Sequence, residues 1–323
     1  MTLLQLKDVY VSYHMGTRAS TAVEQVSLKL DEQDSIGIVG ESGSGKTTLA
    51  MAVLRLLPQK STQVEGDIRF QGMDLLRMSE EQLARIRWKE IAVVPQQSMN
   101  VLSPVHRIGW QMSDILRQHE PGLSQKQLKG NIMDLLSLVR LSSSVYYQYP
   151  YELSGGMLQR VSIALGLMHR PKLLIMDEAT TALDAITQEY ILQMLLQMER
   201  AHGISRMMIT HDMSVVATSC NNIAVMYAGR LVEYGSVTEV LQRPLHPYTQ
   251  DLINSLVFAH GIDEECTPRT MHGAMPEILT DMDSSPRGCV YAGRCSYVTS
   301  TCLEYQPKDR WYSSTRRVAC HGI

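Results

Sequence analysis

The chain is short of several features that would settle its class at once. No window holds 18 successive apolar residues, so nothing in the sequence reads as a bilayer-spanning helix. Charge of one sign is missing too. The formal net charge is −3, which excludes a general electrostatic attraction to nucleic acid or anionic lipid. The first residues, Met1-Thr2-Leu3-Leu4-Gln5-Leu6-Lys7, lack a secretory signal pattern, and a cytoplasmic protein is expected. Phenylalanine is nearly absent, 2 residues against 20 methionines, a bias without a physical account. There is no internal repeat or low-complexity tract. With 44% hydrophobic and 20% charged residues, the 323-residue chain has ordinary globular composition and room for one large domain plus a small one, or for two. Its six cysteines suit a reducing compartment if they are free thiols or metal ligands.

What is present centres on Gly40-Glu41-Ser42-Gly43-Ser44-Gly45-Lys46-Thr47-Thr48, a fit to G-x-x-x-x-G-K-[ST]. The flanks suit it. Ser35–Val39 reads as a buried strand, and Thr47–Leu57 as a helix stopped by Pro58. Glycines let successive N–H groups turn inward onto phosphate oxygens, and the helix start adds its positive dipole end. Lys46 can reach the β- and γ-phosphates, and the Thr47 hydroxyl can hold Mg²⁺.

Around this loop the pattern alternates. Edge strands are expected at Leu4–Val9 and Val26–Leu30, and further strands at Val64–Phe70, Ile91–Val94, Leu173–Met176 and Met207–Ile209. Ser79 with Gln82 predicts a capped helix over Ser79–Trp88. Between residues 98 and about 158 helical patterns dominate, at Val105–Gln118, at Gln125–Val139 and in the lead-up to Leu158–His169. This is a helical insertion in an α/β domain with a parallel sheet. Ile191, Met194, Leu195 and Met198 mark a helix packed on that sheet. A hairpin is expected over Ile223–Tyr234, turning at Ala228-Gly229, and a domain boundary near residue 245.

Two further segments carry chemistry. Leu173–Met176 ends in Asp177-Glu178, carboxylates at the C-terminal end of a buried strand, where open α/β sheets bind ligands. Asp177 would support Mg²⁺, and Glu178 would be the general base for an attacking water or its positioner. Ser154-Gly155-Gly156 opens a helix as a second anion cup. One nucleotide needs one cradle from its own subunit, so the surplus cup points to a nucleotide held by a partner.

These segments together resemble the ATP-binding subunit of an ABC transporter, a P-loop NTPase. Gly40–Thr48 is similar to its Walker A motif, Leu173–Glu178 to Walker B and Leu153–Gln159 to the LSGGQ signature in its LSGGMxQR form. Ala182-Leu183-Asp184 resembles the D-loop, His211 the switch histidine, Gln96 the Q-loop glutamine, and Tyr13 the aromatic that stacks on adenine. Ser103-Pro104-Val105-His106-Arg107-Ile108-Gly109, Thr180–Asp184 and His246-Pro247-Tyr248-Thr249 are similar to the oligopeptide/dipeptide/nickel importer subfamily. Pro95 and Ala179 depart from that subfamily's usual phenylalanine and proline.

The resemblance implies an ATPase in which Glu178, His211 and Gln96 are catalytic. ATP would contact Tyr13, residues Gly40 to Thr48, Ser154, Gly155, Gly156 and Asp184, with Mg²⁺ on Thr47, Gln96 and Asp177. It implies a head-to-tail pair with a second, homologous ATPase chain and attachment to the cytoplasmic face of the membrane. It further implies two transmembrane permease subunits, gripped through residues 97–115, and an extracellular or periplasmic solute-binding protein. No nucleic acid takes part. Peptides come first as cargo, then nickel or metal chelates, then sugars. On this reading residues 1–245 are the nucleotide-binding domain and 246–323 a C-terminal extension.

That extension holds Cys289, Cys295, Cys302 and Cys320, spaced C-x5-C-x6-C-x17-C. Four thiolates suit a [4Fe–4S] cluster or tetrahedral zinc, though the gaps are wider than in zinc ribbons. A disulfide pair and unligated cysteines are the alternatives. The resemblance implies the iron–sulfur cluster, in a structural role. Cys220 and Cys266 read as ordinary small residues.

Overall fold

The computed structural model describes residues 1–16, 18–96, 101–259 and 287–323. Cys266 and residues 97–100 of the expected permease grip lie outside them. Two sheets carry the fold. The first is antiparallel, with strand order β2-β1-β4-β5, formed by β1 (Thr2–Met15), β2 (Arg18–Asp31), β4 (Thr62–Phe70) and β5 (Met73–Asp74). The second has the order β11-β12-β10-β9-β3-β8-β7-β6. Its parallel strands run from β6 (Ile91–Val94) at the edge through β7 (Leu173–Asp177) and β8 (Ser205–Ile209) to β3 (Ser35–Val39), which pairs parallel to both β8 and β9 (Asn222–Tyr227). Every residue of β3, β7 and β8 is buried, as expected of a parallel sheet covered on both faces.

Of the two expected edge strands, the one in β2 lies at an edge and the one in β1 does not. β1 lies between β2 and β4 and runs well past Val9. Its pairing with β2 shifts register between Leu6 and Val9 and again before Ser12, while Asp8 and Gln25 adopt φ of 47° and 54°. Such bulges break the two-residue alternation from which a strand's length is read.

The helix α1 (Lys46–Val53) follows the phosphate loop, and α2 (Glu80–Ile86) carries the expected Ser79–Gln82 capping box. In the insertion, α3 (Ile108–His119) starts later than its apolar pattern. The Gln111 side chain bonds Ser103 N–H, Ser103 C=O and His106 C=O, which ties the preceding residues into a turn. α4 (Gln125–Leu138) and α5 (Gly155–Leu167) complete the layer, and Ile108, Met112, Ile132, Leu136 and Val161 meet in one core. α6 (Ala185–His202) covers the sheet through Ile191, Met194, Leu195 and Met198. After α7 (Met213–Ser219) comes the expected hairpin of β9 and β10 (Arg230–Ser236).

α8 (Val237–Gln242) and α9 (Pro247–Ala259) lead into the extension, with α10 (Ser300–Glu304), β11 (Arg310–Trp311) and β12 (Arg317–Val318) beyond. The chain then returns to the main sheet, since β12 pairs with β10. A buried ion pair fastens this return. Arg316 Nη2 lies 2.6 Å from Glu233 Oε1, with both side chains at most 4% exposed. Glu233 also accepts the N–H groups of Leu245 and His246, so its carboxylate is satisfied by hydrogen bonds as well as by charge.

Candidate nucleotide site

The site lies at the C-terminal ends of β3, β7 and β8, where a parallel sheet turns its loops to ligands. Two glycines of the phosphate loop are obligatory. A Cβ on Gly40, at φ +153°, would sit 2.1 Å from the Met226 carbonyl oxygen, and one on Gly45, at φ +92°, 2.3 Å from that of Ala22. Gly45 precedes α1 without a side-chain cap, so no side chain blocks the N–H groups at the helix start. Lys46 is buried and donates to the carbonyls of Gly40 (2.8 Å) and Glu41 (2.7 Å) and to Ser44 Oγ (3.1 Å). Burial pushes its pKa down, against the pull of Glu178, Asp177 and Glu41.

Thr47 Oγ1 donates to Asp177 Oδ1 at 3.0 Å. Asp177 is 1% exposed, and burial raises its carboxyl above the usual range despite that bond. A buried carboxylate joined to a hydroxyl is a donor pair that suits Mg²⁺. Tyr13 on β1 meets the same helix start, its hydroxyl 3.2 Å from Thr48 Oγ1.

Glu178 follows β7 directly and stands at φ 48°, a conformation uncommon outside glycine. Local bonds hold it there. Its N–H donates to Ile209 C=O at 2.8 Å, and its C=O accepts from Thr181 Oγ1 at 2.9 Å. The carboxylate is held from two sides, by Gln96 Nε2 at 2.6 Å and His211 Nδ1 at 3.3 Å. Gln96 and His211 therefore converge on the Glu178 carboxylate, although 33 residues separate His211 from Glu178 and 82 separate Gln96 from it.

The second cup stands elsewhere on the surface. Ser154 caps α5 by accepting from Met157 N–H at 3.3 Å, Ser154 and Gly155 are exposed, and nothing lies within 4 Å of where a Gly155 Cβ would be. Asp184 caps α6 through Thr187 N–H (3.0 Å), and its bonds from Thr187 hold its pKa below the usual carboxylate range.

With this geometry in place, comparison with known proteins is decisive. The ABC transporter family model matches residues 23–181. A dipeptide transport ATP-binding protein of Caldanaerobacter subterraneus subsp. tengcongensis is 37% identical over 320 residues, covering 99% of this chain and 96% of its own. The chain belongs to the ABC transporter family. Within that family it falls in the oligopeptide/dipeptide branch, whose C-terminal region model matches residues 232–302. An oligopeptide transport ATP-binding protein of Bacillus subtilis is 38% identical, over 98% of this chain and 87% of its own. Among solved structures, a dimeric ATP-binding cassette in a post-hydrolysis state, bound to ADP and Pi, superposes with a TM-score of 0.68 at 27% identity. It covers 73% of this chain and 99% of that one. The chain is an ATPase of the ABC type, and among the described residues no helix is long and apolar enough to cross a membrane.

One expectation for the extension is not supported. Cys289, Cys295, Cys302 and Cys320 are free thiols gathered in one region, where Cys289 N–H donates to Cys302 C=O at 2.7 Å. Yet among the described residues no group of three or more His, Cys, Asp or Glu is placed to hold a metal ion. The probable [4Fe–4S] cluster on these four residues is therefore not supported. Burial raises the pKa of Cys289, Cys295 and Cys320, and the facing thiols raise it further, so the four side chains lie near one another.

Sequence reasoning missed two residues at this site, Tyr248 and Arg294, which both bond Glu41 of the phosphate loop. They lie 207 and 253 positions away, and no local pattern links them to it. The one usable signal was His246-Pro247-Tyr248-Thr249, read only as a subfamily likeness.

Proposed function

We propose that this chain is the ATP-hydrolysing subunit of a peptide importer, peripheral to the cytoplasmic face of a membrane. In this reading it works head to tail with a second ABC ATPase chain, which binds ATP between Gly40–Thr48 of one chain and Ser154–Gly156 of the other. The observation that carries the chemistry is the Glu178 carboxylate, held by both Gln96 and His211 beside the Thr47–Asp177 pair. The names of the relatives support the cargo.

ATP would enter against the loop N–H groups and the start of α1. Lys46 would exchange the carbonyls of Gly40 and Glu41 for phosphate oxygens, and Tyr13 would lie against the base. Thr47 and Asp177 would hold Mg²⁺, which when bound neutralises charge developing on the phosphates. Glu178 would take a proton from the attacking water as that water's oxygen bonds to the γ-phosphorus and the bond to the β,γ-bridging oxygen breaks. His211 would keep the Glu178 carboxylate aimed, and Gln96 would release it as the helical insertion moves. Loss of the γ-phosphate removes the bridge between the two cups, and the pair opens. Two transmembrane permease subunits and an extracellular or periplasmic binding protein would convert that opening into uptake.

The test is uptake of a labelled dipeptide by cells carrying the chain or lacking it, with permease and binding protein intact. Uptake should depend on the chain and be lost with Lys46→Ala. Equal uptake in its absence would refute the importer reading.

A further inference from the structure

Glu41 poses an electrostatic problem. It is the second residue of a loop built to bind a polyanion, and its own side chain is an acid. The structure answers from the far end of the chain. Arg294 grips the carboxylate in a two-pronged pairing, with Nη1 2.9 Å from Oε2 and Nη2 3.0 Å from Oε1. The guanidinium lies 5.6 Å from the ring centroids of both Tyr227 and Tyr291, so aromatic faces support it. The Glu41 backbone is held as well, since its N–H donates to the Tyr248 hydroxyl at 3.0 Å.

Tyr248 is itself fixed. It is 1% exposed, its ring centroid lies 4.7 Å from that of Tyr227 and 5.4 Å from that of Tyr291, and its N–H donates to His246 Nδ1 at 3.1 Å. Both restraints on Glu41 thus come from the C-terminal extension. Lys46 reports what they achieve. Its ammonium takes the Glu41 carbonyl at 2.7 Å, so holding Glu41 also sets where the lysine rests before nucleotide arrives.

We infer that Arg294 and Tyr248 are positioning residues for ATP: Arg294 cancels the Glu41 charge and Tyr248 fixes its backbone, so that the extension braces the phosphate loop in its anion-accepting shape. This rests on the nucleotide-binding reading of the loop. Neither residue enters the chemistry at Glu178, so their loss weakens binding and leaves the hydrolytic step alone.

The experiment uses the full-length chain, with affinity for a fluorescent N-methylanthraniloyl ATP, ATP turnover and melting temperature followed together. Arg294→Met should raise Kd and KM about fivefold, the scale of one unit charge acting across a partly exposed loop, with kcat changed by less than about twofold. Glu41→Gln added to Arg294→Met should bring Kd back to within about twofold of wild type, because the unopposed charge is gone. An arginine that merely anchored the extension would show no such rescue. Tyr248→Phe, which deletes only the acceptor, should raise Kd about twofold. If Arg294→Met does not fold, Glu41→Gln alone carries the test, since the unopposed arginine should then tighten ATP binding.

Wild-type affinity in Arg294→Met, absence of rescue in the double variant, or unchanged binding in Glu41→Gln would each overturn the brace. A wild-type chain that bound no nucleotide would overturn the functional reading and the brace with it.

Discussion

Replacing Glu178 with glutamine separates binding from chemistry. The side chain is 20% exposed, keeps its length and volume in the variant, and lies between Gln96 Nε2 at 2.6 Å and His211 Nδ1 at 3.3 Å. The amide oxygen can still accept one of these donors, while the amide nitrogen faces the other, so local order is mostly kept. What disappears is a base. Positioned general bases contribute roughly 10²- to 10⁴-fold, which at 1.36 kcal/mol per decade is about 3–5 kcal/mol of barrier. Binding should move the other way. Glu178 is among the charges that raise the pKa of both Lys46 and Asp177, so its removal takes a negative charge from beside the phosphates and Kd for ATP should stay level or fall. The assay is single-turnover phosphate release from radiolabelled ATP with enzyme in excess, paired with equilibrium binding and gel filtration in ATP. Release should slow by at least about a hundredfold while binding persists, and a dimer should accumulate in ATP. Turnover within about tenfold of wild type would refute the assignment of Glu178 as base.

Two pH-linked outcomes follow from burial. His246 is held near pKa 4 against 6.5 for a free imidazole, because burial disfavours its charged form. The unfolded chain therefore takes up the proton first. Stability is complete above about pH 6.5 and drains away as pH falls toward 4, by at most about 3 kcal/mol. In urea titrations wild type should lose more stability between pH 7 and pH 4 than His246→Asn, whose amide oxygen can still accept the Tyr248 N–H. Equal losses would show that His246 is not the linked group. Asp177 behaves oppositely. Its pKa is raised by burial, so the fold favours the protonated acid, and the ionised form lowers stability once pH passes that raised value. Asp177→Asn should melt higher than wild type at pH 7, lose that advantage below about pH 4, and fail to gain ATP affinity on adding Mg²⁺. A lower melting temperature at pH 7 would contradict the burial argument.

The parts legible in the sequence share one property, that the signal and the structure it specifies are neighbours along the chain. The phosphate loop needs a strand, glycines at fixed offsets and a helix within 20 residues, and that is where β3, Gly40, Gly45 and α1 lie. Ser79 and Gln82 announce α2 for the same reason, since a capping box is made within one turn. Asp177-Glu178 was visible as the end of an apolar run. Legibility fails where a local departure serves a distant partner. The register shifts in β1 erased the alternation that would have given the strand its length, and a two-residue strand such as β12 has no period to read. The four cysteines of the extension are the converse case, brought near one another by packing although 31 positions separate the first from the last.

The extension is where this limit bears on function. Glu233, on the hairpin that ends the α/β core, is buried and would be an uncompensated charge there without Arg316. Glu41, on the phosphate loop, would oppose its own ligand without Arg294. Both acids are answered by arginines from the last 30 residues, and no window around either acid contains its partner. A chain cut after α8 would keep each Walker residue and lose both counter-charges together with Tyr248. The core's electrostatics are thus written for a longer chain than its catalytic residues require, which is the physical reason to count the extension as part of the nucleotide site.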